Sequence, residues 1–530
     1  MKTKFICVFG GVYSSLGKGV TASSIARILK ELKQKVSMIK LEPYLNVNPG
    51  LMSPYQHGEV YVTYDKGETD LDLGSYERIG GITISKDNYI TSGSVYQEII
   101  TKERAGEYHG KTVQVVPHVT GKFKERIYNV VKKETPDFCI IEIGGTVGDM
   151  ESLAITEALC EIKKDVGREH FLPILCSPLI SLGGTTGELK TKPTQHAYKD
   201  LCNLGIQAEM LVLRSEESIT DDVIEKMALH CHIPSDYVFE NKTLSNVYFV
   251  PGELYRQNIH KAIFKYFGII LNKNANLNNW NDYINKIKKI KNIVTIALVG
   301  KYMELHDAYA SVIEALKLAG WENNVNVKIK WIQSDPISAK NAKKIFNDVN
   351  GIIVPGGFGG RGTDGILESI RFARENKVPY LGICYGMQLA TIEFARNVLG
   401  YKDANTTEIN PKTKHIMFDY IDGRMRLGEE KCIINDTKTL AYKLYKNNVI
   451  LQRHRHRWEF NNKYLLDFKK HDFIISAHSN DSNKTAEMAE LKNHPFFFGC
   501  QFHPEFSSHP RKSDGAFLGL ISAAIKNKGK

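Results

Sequence analysis

The 530-residue sequence predicts two α/β domains, each on a parallel sheet, joined by a polar linker. Three observations carry this. Short apolar runs alternate with helical patterns in both halves, a glycine-rich loop follows the first strand, and a glycine turn holding a cysteine follows a later one. In the first half, strands are expected at residues 4–9, 36–41, 138–143, 171–176 and 210–213. The helix after the first loop carries Val20, Ile25, Ile28, Leu29 and Leu32 on one face. In the second half, strands are expected at 294–299, 327–331, 351–355, 380–384 and 497–502. Between them, residues 271–292 are crowded with Asn and Lys. The expected division is therefore 1–270, a linker at 271–292 with a short amphipathic helix near 283–290, and 293–530, the alternative for 271–292 being a surface helix inside one domain.

Composition narrows the function. With 42% hydrophobic and 24% charged residues, the chain is an ordinary globular protein. Its 70 basic and 59 acidic residues give a net charge of +11. That excess is too mild and scattered for a dedicated nucleic-acid binder, but it suits anionic small molecules such as nucleotides. No apolar run approaches the ~18 residues of a membrane span. The apolar start at 5–9 is cut short by Gly10 and Gly11, so a signal peptide is not expected. Nine scattered cysteines without a CxxC pair argue against a disulfide framework or zinc site and for a reducing, cytoplasmic setting.

The loop at 10–19, GGVYSSLGKG, turns backbone N–H groups toward an anion at a helix N-terminus, and Lys18 adds a mobile charge for outer phosphates. It departs from the strict P-loop, because Gly19 stands where Ser or Thr would follow the lysine. Mg²⁺ would then need other oxygen ligands. Glu142, at the end of an apolar run, and Asp72, in TDLDLG, are the candidates, with a salt bridge as the alternative for each.

In the second half, Gly382-Ile383-Cys384-Tyr385-Gly386 reads as the thiol version of a nucleophile elbow. A tight turn with a buried thiol is the alternative. His503 and Glu505 sit two apart on a segment read as extended, so that the carboxylate can orient the imidazole serving Cys384. The loop at 355–359, PGGFG, offers N–H groups for an oxyanion hole. The cluster Arg453-His454-Arg455-His456-Arg457, read as a strand, puts three Arg on one face and two His on the other. It is a solvated basic face, a nucleic-acid patch, or the source of one Arg for a substrate carboxylate.

Long motifs then come together: GGVYSSLGKG, MSPYQHGEVYVTYDKGETDLDLG, IEIGGTVGDMES, GELKTKPTQH, PGGFGGRG, GICYGMQ, RHRHRWE and CQFHPEF. With them the chain resembles the CTP synthase family of glutamine amidotransferases over nearly its whole length. The resemblance implies a P-loop-type synthetase domain followed by a class I glutamine amidotransferase domain. It also implies ATP-dependent phosphorylation of the 4-oxygen of UTP and displacement by glutamine-derived ammonia to give CTP. By the same resemblance Ser15, Leu16, Gly17, Lys18, Gly19 and Val20 hold ATP phosphates, with Lys242, Thr243 and Leu244 on the adenine side and Asp72 and Glu142 on Mg²⁺. Ser14, Lys190, Thr191, Lys192, Pro193, Thr194, Gln195 and Lys226 contact UTP, Lys40 lies near the reacting phosphate, and Asp149, Met150 and Glu151 belong to the site where CTP inhibits. Cys384, His503 and Glu505 form the triad, while Gly357, Tyr385, Gly386, Met387, Gln388, Glu408 and Arg457 bind glutamine. The resemblance also implies a homotetramer, activation by GTP, and no nucleic-acid or membrane partner.

Two rival readings remain open to test. One is an ATP-dependent amidotransferase acting on a cofactor carboxylate; the other is a regulatory nucleotide binder without chemistry. Departures from the family pattern are Tyr13, Glu42 and Asn48 near the nucleotide site, and a short interval 410–423 where the family has a long charged lid before Met425-Arg426-Leu427-Gly428.

Overall fold

A computed structural model describes residues 2–181, 189–272, 275–301, 303–420 and 425–529. It resolves into two compact units: residues 1–52 with 72–286, and residues 53–71 with 287–530.

The first unit is built on a seven-stranded sheet. Its order is Val238–Lys242, Met210–Ser215, Phe171–Pro178, Lys4–Gly10, Phe138–Ile143, Val36–Glu42 and Tyr89–Thr91, every pair parallel. The near-continuous apolar runs are those of strands covered on both faces, and Phe5, Ile6, Cys7 and Val8 at the sheet centre are fully buried. Helix Lys18–Glu31 starts where strand Lys4–Gly10 and its loop end, so ligand-facing loops gather at the carboxyl edge of the sheet. The edge strands Tyr89–Thr91 and Val238–Lys242 go beyond the sequence reading; they are short and carry polar residues.

The polar stretch 271–292 differs from a plain connector. Helix Asn278–Lys288 docks into the first unit: the Trp280 indole donates to the Tyr248 carbonyl (3.2 Å) and the Arg27 guanidinium lies 4.5 Å from the Trp280 ring centroid. Trp280, Ile284 and Ile287 are buried at helical spacing along it, with Leu277 just before, between exposed Asn and Lys residues.

The second unit holds a nine-stranded sheet. Asn326–Gln333, Ile293–Gly300, Gly351–Val354, Tyr380–Ile383 and Phe497–Cys500 run parallel. Ala486–Leu491, Phe473–Ser479, Arg426–Ile434 and Val449–His456 then extend it antiparallel, which corrects the expectation of a wholly parallel sheet. The added strands mix charged and apolar residues, so they lack the continuous apolar signature of the central ones.

Residues 53–71 group with this unit rather than with the N-terminal half that surrounds them in sequence. They form a helical turn, Pro54–His57, and a hairpin of Tyr61–Val62 and Glu68–Thr69. Arg453 Nη1 donates to Tyr61 Oη (2.9 Å) and to the Val62 carbonyl (3.0 Å), and Arg455 Nε to Glu68 (2.8 Å). No described helix is long and apolar enough to cross a membrane.

Candidate active sites

In the first unit the loop after strand Lys4–Gly10 is a concave backbone turn. Val12, Ser15 and Gly17 all take positive φ (74°, 62° and 81°), and Gly17 caps helix Lys18–Glu31. Such a turn points successive N–H groups into one hollow, and the helix dipole favours an anion there. The hollow has a volume of 340 Å³ and is lined by Ser14, Ser15, Leu16, Gly17, Lys18, Gly19 and Val20 together with Lys40, Glu42, Asp72 and Glu142. Burial, then the charge of Lys40, lower the pKa of Lys18, whose ammonium donates to the Gly145 carbonyl.

Register explains the carboxylates. Lys40 stands directly opposite Glu142 in neighbouring parallel strands, so both side chains leave the same face of the sheet. Lys40 Nζ lies 2.6 Å from Asp72, 2.9 Å from Glu142 and 3.1 Å from Glu42. Burial alone would lower the pKa of Lys40, but these three carboxylates raise it, and Lys40 in turn holds Asp72 below the usual carboxylate range against its own burial. A Cβ on Gly19 would sit 3.3 Å from Glu142 Oε2 and 3.4 Å from Asp72 Oδ1. Two carboxylates thus converge on the phosphate loop, which is the oxygen-rich donor set Mg²⁺ prefers.

Glu42 fits because residue 144 is glycine: a Cβ there would lie 2.6 Å from Glu42 Oε2. Asn48 caps the turn Pro49–Leu51 by accepting from Gly50 N (2.9 Å), a bond that an Asp would also make, and Tyr13 is exposed.

A second hollow of 650 Å³ lies alongside, lined by Asp149, Thr146, Pro193 and His196 among others. Met150 and Glu151 are exposed next to Asp149, and Lys190 and Lys192 flank Thr191. Thr194 and Gln195 turn inward: the Thr194 hydroxyl donates to the Pro178 carbonyl (2.7 Å), and Gln195 Nε2 donates to Thr191 Oγ1 (3.1 Å). Those two side chains shape the wall rather than face the hollow. Gly187 and Glu188 of the GELKTKPTQH motif lie outside the described residues. Lys226 is exposed on helix Asp221–Cys231. Lys242, Thr243 and Leu244 leave the edge strand just after Asn241, whose Nδ2 donates to Thr21 Oγ1 (3.0 Å) in the first helix.

In the second unit Cys384 sits between strand Tyr380–Ile383 and helix Tyr385–Asn397 with φ 50° and ψ −101°, a conformation that L-residues rarely adopt. The turn is possible because its glycines let the chain close: a Cβ on Gly382 would lie 2.6 Å from the Gly386 carbonyl carbon, and one on Gly386 would lie 2.2 Å from the Val354 oxygen. His503 Nδ1 meets Glu505 Oε1 at 2.7 Å. The pair is made by a turn and not by an extended strand, because Glu505 lies in the short helix Pro504–Ser507. Burial would lower the pKa of His503, but the charge of Glu505 and the neighbouring Cys384 raise it to about 10. The imidazolium is therefore the favoured form beside the thiol.

Cys384, His503 and Glu505 share one cavity of 130 Å³ with Gly356 and Gly357 of the glycine loop. Gly356 allows a close approach, since a Cβ there would stand 2.8 Å from His503 Cε1. Another wall is Pro54, Glu59 and Val60 from the 53–71 segment. Arg455 also lines this cavity, a residue the sequence reading passed over in favour of Arg457. Strand Val449–His456 ends before Arg457, which is exposed and does not continue the arginine face. His454 and His456 turn into a buried network around Arg426, and burial lowers the pKa of both.

Among the expected glutamine ligands, Glu408 Oε1 accepts from Gly359 N (2.8 Å), and Tyr385 Oη donates to the Gly359 carbonyl (2.7 Å). Met387 is fully buried in the core and packs on Gly499. Lys301, unremarked in the sequence, braces the loop by donating to the carbonyls of Phe358 (2.8 Å) and Gly359, and burial lowers its pKa to about 8.

Residues 4–269 match the family profile described as CTP synthase N-terminus, and residues 304–523 match glutamine amidotransferase class-I. CTP synthases of Bacillus cereus and Caldanaerobacter subterraneus subsp. tengcongensis are each 46% identical over 535 aligned residues, covering 99% of this chain and 99% of theirs. The chain belongs to the CTP synthase family. A solved glutaminase domain of Trypanosoma brucei CTPS with bound acivicin is 36% identical and covers 44% of this chain and 94% of its own, with a TM-score of 0.43. As a family member the chain is a ligase with a glutamine amidotransferase domain.

Proposed function

We propose that this enzyme makes CTP from UTP, ATP and the amide nitrogen of glutamine, in the cytoplasm, as a homotetramer inhibited by CTP and stimulated by GTP. The observation that supports it is the joint presence of a strained Cys384 sharing a cavity with a hydrogen-bonded His503–Glu505 pair and a phosphate loop facing two carboxylates.

At the glutaminase site Cys384 attacks the amide carbon while His503 holds the thiol proton and passes it to the departing ammonia. Glu505 keeps the ring oriented and favours its charged form. The N–H groups of the 356–357 loop support the developing oxyanion, and Lys301 fixes that loop from behind. Glu408, Tyr385 and Arg457 hold the amino-acid end of the substrate, with the main chain of Gly357, Gly386, Met387 and Gln388 completing the pocket. Ammonia forms in a cavity that Pro54, Glu59 and Val60 wall on one side.

At the synthetase site the N–H groups of 15–20 and Lys18 hold ATP phosphates, with Lys242, Thr243 and Leu244 toward the adenine. Asp72 and Glu142 would hold Mg²⁺, which neutralises phosphate charge when bound. Lys40, already shared among three carboxylates, stabilises charge on the phosphoryl group moving to UTP. The hollow beside Asp149 and Pro193 takes the pyrimidine nucleotide, and the family resemblance adds Ser14, the 190–195 segment and Lys226 to its contacts.

The test is direct. Purified protein given UTP, ATP, Mg²⁺ and glutamine is expected to form CTP and glutamate. Glutamate release with UTP left unconsumed would favour an amidotransferase acting on another acceptor, and neither product would favour a non-catalytic nucleotide binder.

A further inference from the structure

Gln501 is fully buried, and no step described above uses it. Its Nε2 lies 3.6 Å from Cys384 Sγ, within reach of a hydrogen bond to sulfur. Its main chain is fixed, because Gln501 N donates to the Glu487 carbonyl (2.9 Å), while Cys384 N donates to the carbonyl of Cys500 (2.7 Å). The two side chains are thus held by adjacent residues of one strand end.

An amide can face a thiol with either end, and the ends have opposite effects on a thiolate. The neighbours decide which end it is. Gln388 Nε2 lies 3.4 Å from the Trp458 carbonyl oxygen, which can only accept, so Gln388 presents its NH₂ group there. The same NH₂ lies 3.4 Å from Gln501 Oε1. Gln501 therefore turns its oxygen to Gln388 and its NH₂ to the sulfur. The Gln388 NH₂, oriented by the Trp458 carbonyl, donates to Gln501 Oε1, and Gln501 donates onward to the nucleophile.

We infer that Gln501 is a further catalytic residue of glutamine hydrolysis, donating an N–H to the Cys384 thiolate, and that Gln388 is a positioning residue that fixes its orientation. A hydrogen bond to a charged acceptor is stronger than one to a neutral thiol, so it favours the thiolate and is given up as the thioester forms. No atom is transferred through either amide. Gln388 Oε1, buried and without a partner among the described residues, remains free to accept from the substrate.

This rests on Cys384 being the nucleophile, which is checked separately by mapping iodoacetamide to Cys384 and by the loss of glutaminase in Cys384→Ala. The test compares Gln501→Met, which removes the N–H, with Gln501→Glu, which keeps the shape and puts a carboxylate oxygen where the N–H donor was. The readouts are Cys384 alkylation and glutamine-dependent CTP formation, with ammonia-dependent CTP formation as the check on folding. Gln501→Met is expected to slow alkylation roughly tenfold near neutral pH and little in strong alkali, where the thiolate forms regardless. Gln501→Glu is expected to be slower still, and Gln388→Met to shift the profile in the same direction by less. A Glu variant faster than the Met variant near neutral pH would show that shape alone matters and would overturn the inference. If the Glu variant does not fold, the Met variant decides: equal slowing at neutral and alkaline pH overturns the inference.

Discussion

The two glycine turns, at 10–19 and at 382–386, share a design and differ in how their charges are held. Each follows a buried parallel strand, each relies on positive φ, and each opens a helix. At the elbow neighbouring side chains already hold the reacting groups: His503 is bonded to Glu505, and Gln501 lies against the thiol. At the phosphate loop the charges satisfy one another, with Lys18 on the Gly145 carbonyl and Lys40 on three carboxylates. A cation at Asp72 and Glu142 would compete with Lys40 for the same oxygens. The nucleophilic site is thus preorganised by its own side chains, whereas the charges of the phosphate site are paired among themselves and a bound nucleotide would have to re-pair them.

The sharpest break of this comparison separates the two half-reactions. Lys18→Ala is expected to lower CTP formation by roughly 10³-fold or more from either nitrogen source, because phosphate stabilisation is common to both. Cys384→Ala is expected to abolish glutamine-dependent synthesis and keep the ammonia-dependent rate near wild type. Initial rates with each nitrogen source check both. Loss of ammonia-dependent activity in folded Cys384→Ala would contradict the division of labour.

Next in size, Glu505→Gln should lower glutaminase turnover by roughly 10²-fold through misoriented imidazole while Cys384 remains open to alkylation. Unchanged turnover would reduce Glu505 to a packing role.

Stability offers a third contrast, since the second unit also buries charge away from its thiol. Arg426 lies 2.6 Å from both Glu430 and Glu487 and 3.3 Å from Glu459. Arg426→Ala leaves those carboxylates without their cation and should cost about 3–5 kcal/mol, read by denaturant unfolding. Burial, only partly offset by Arg426, raises the pKa of Glu487 to about 8 and of Glu459 to about 7. The native state therefore binds protons that the unfolded chain releases above the ordinary carboxylate range. Stability should fall as pH rises through that interval toward about 8, and Glu487→Gln should flatten the fall in melting temperature. An unchanged slope in Glu487→Gln would mean that Glu487 does not hold the proton.

The smallest effect concerns regulation. The short interval before Met425 is partly structural: Ile416–Tyr420 pairs antiparallel with Trp458–Phe460, while Asp422, Gly423 and Arg424 lie outside the described residues. A shorter lid has fewer side chains with which to distinguish open from closed states. GTP is expected to stimulate glutamine-dependent synthesis, but less than in a long-lid relative assayed alongside, with no effect on ammonia-dependent synthesis. Equal stimulation would show the missing length to be dispensable.

How much of this the sequence disclosed follows from distance along the chain. The central strands, the phosphate loop and the elbow are local, written in contiguous apolar runs and glycine turns, and they were readable. The antiparallel strands were not, because a strand such as Arg426–Ile434 alternates charge that is satisfied only in three dimensions. Gln501, Lys301 and Arg455 act through partners at least 57 residues away in sequence, so no spacing rule points to them. By sequence the segment 53–71 belongs with the residues on either side of it, and only the pairing of Tyr61 and Glu68 with Arg453 and Arg455 shows where it packs. Arg457 is expected on glutamine from the family resemblance alone, since the strand that carries Arg453 and Arg455 ends at His456.

Ammonia released at Cys384 is expected to be consumed at the phosphate loop. The most direct measurement supplies glutamine labelled with ¹⁵N in the amide, together with UTP, ATP and Mg²⁺, in a solution containing unlabelled ammonium, and reads the isotope in CTP by mass spectrometry. The account predicts labelled CTP from the wild-type chain and unlabelled CTP from Cys384→Ala. Unlabelled CTP from the wild-type chain, formed while glutamine is hydrolysed, would contradict it.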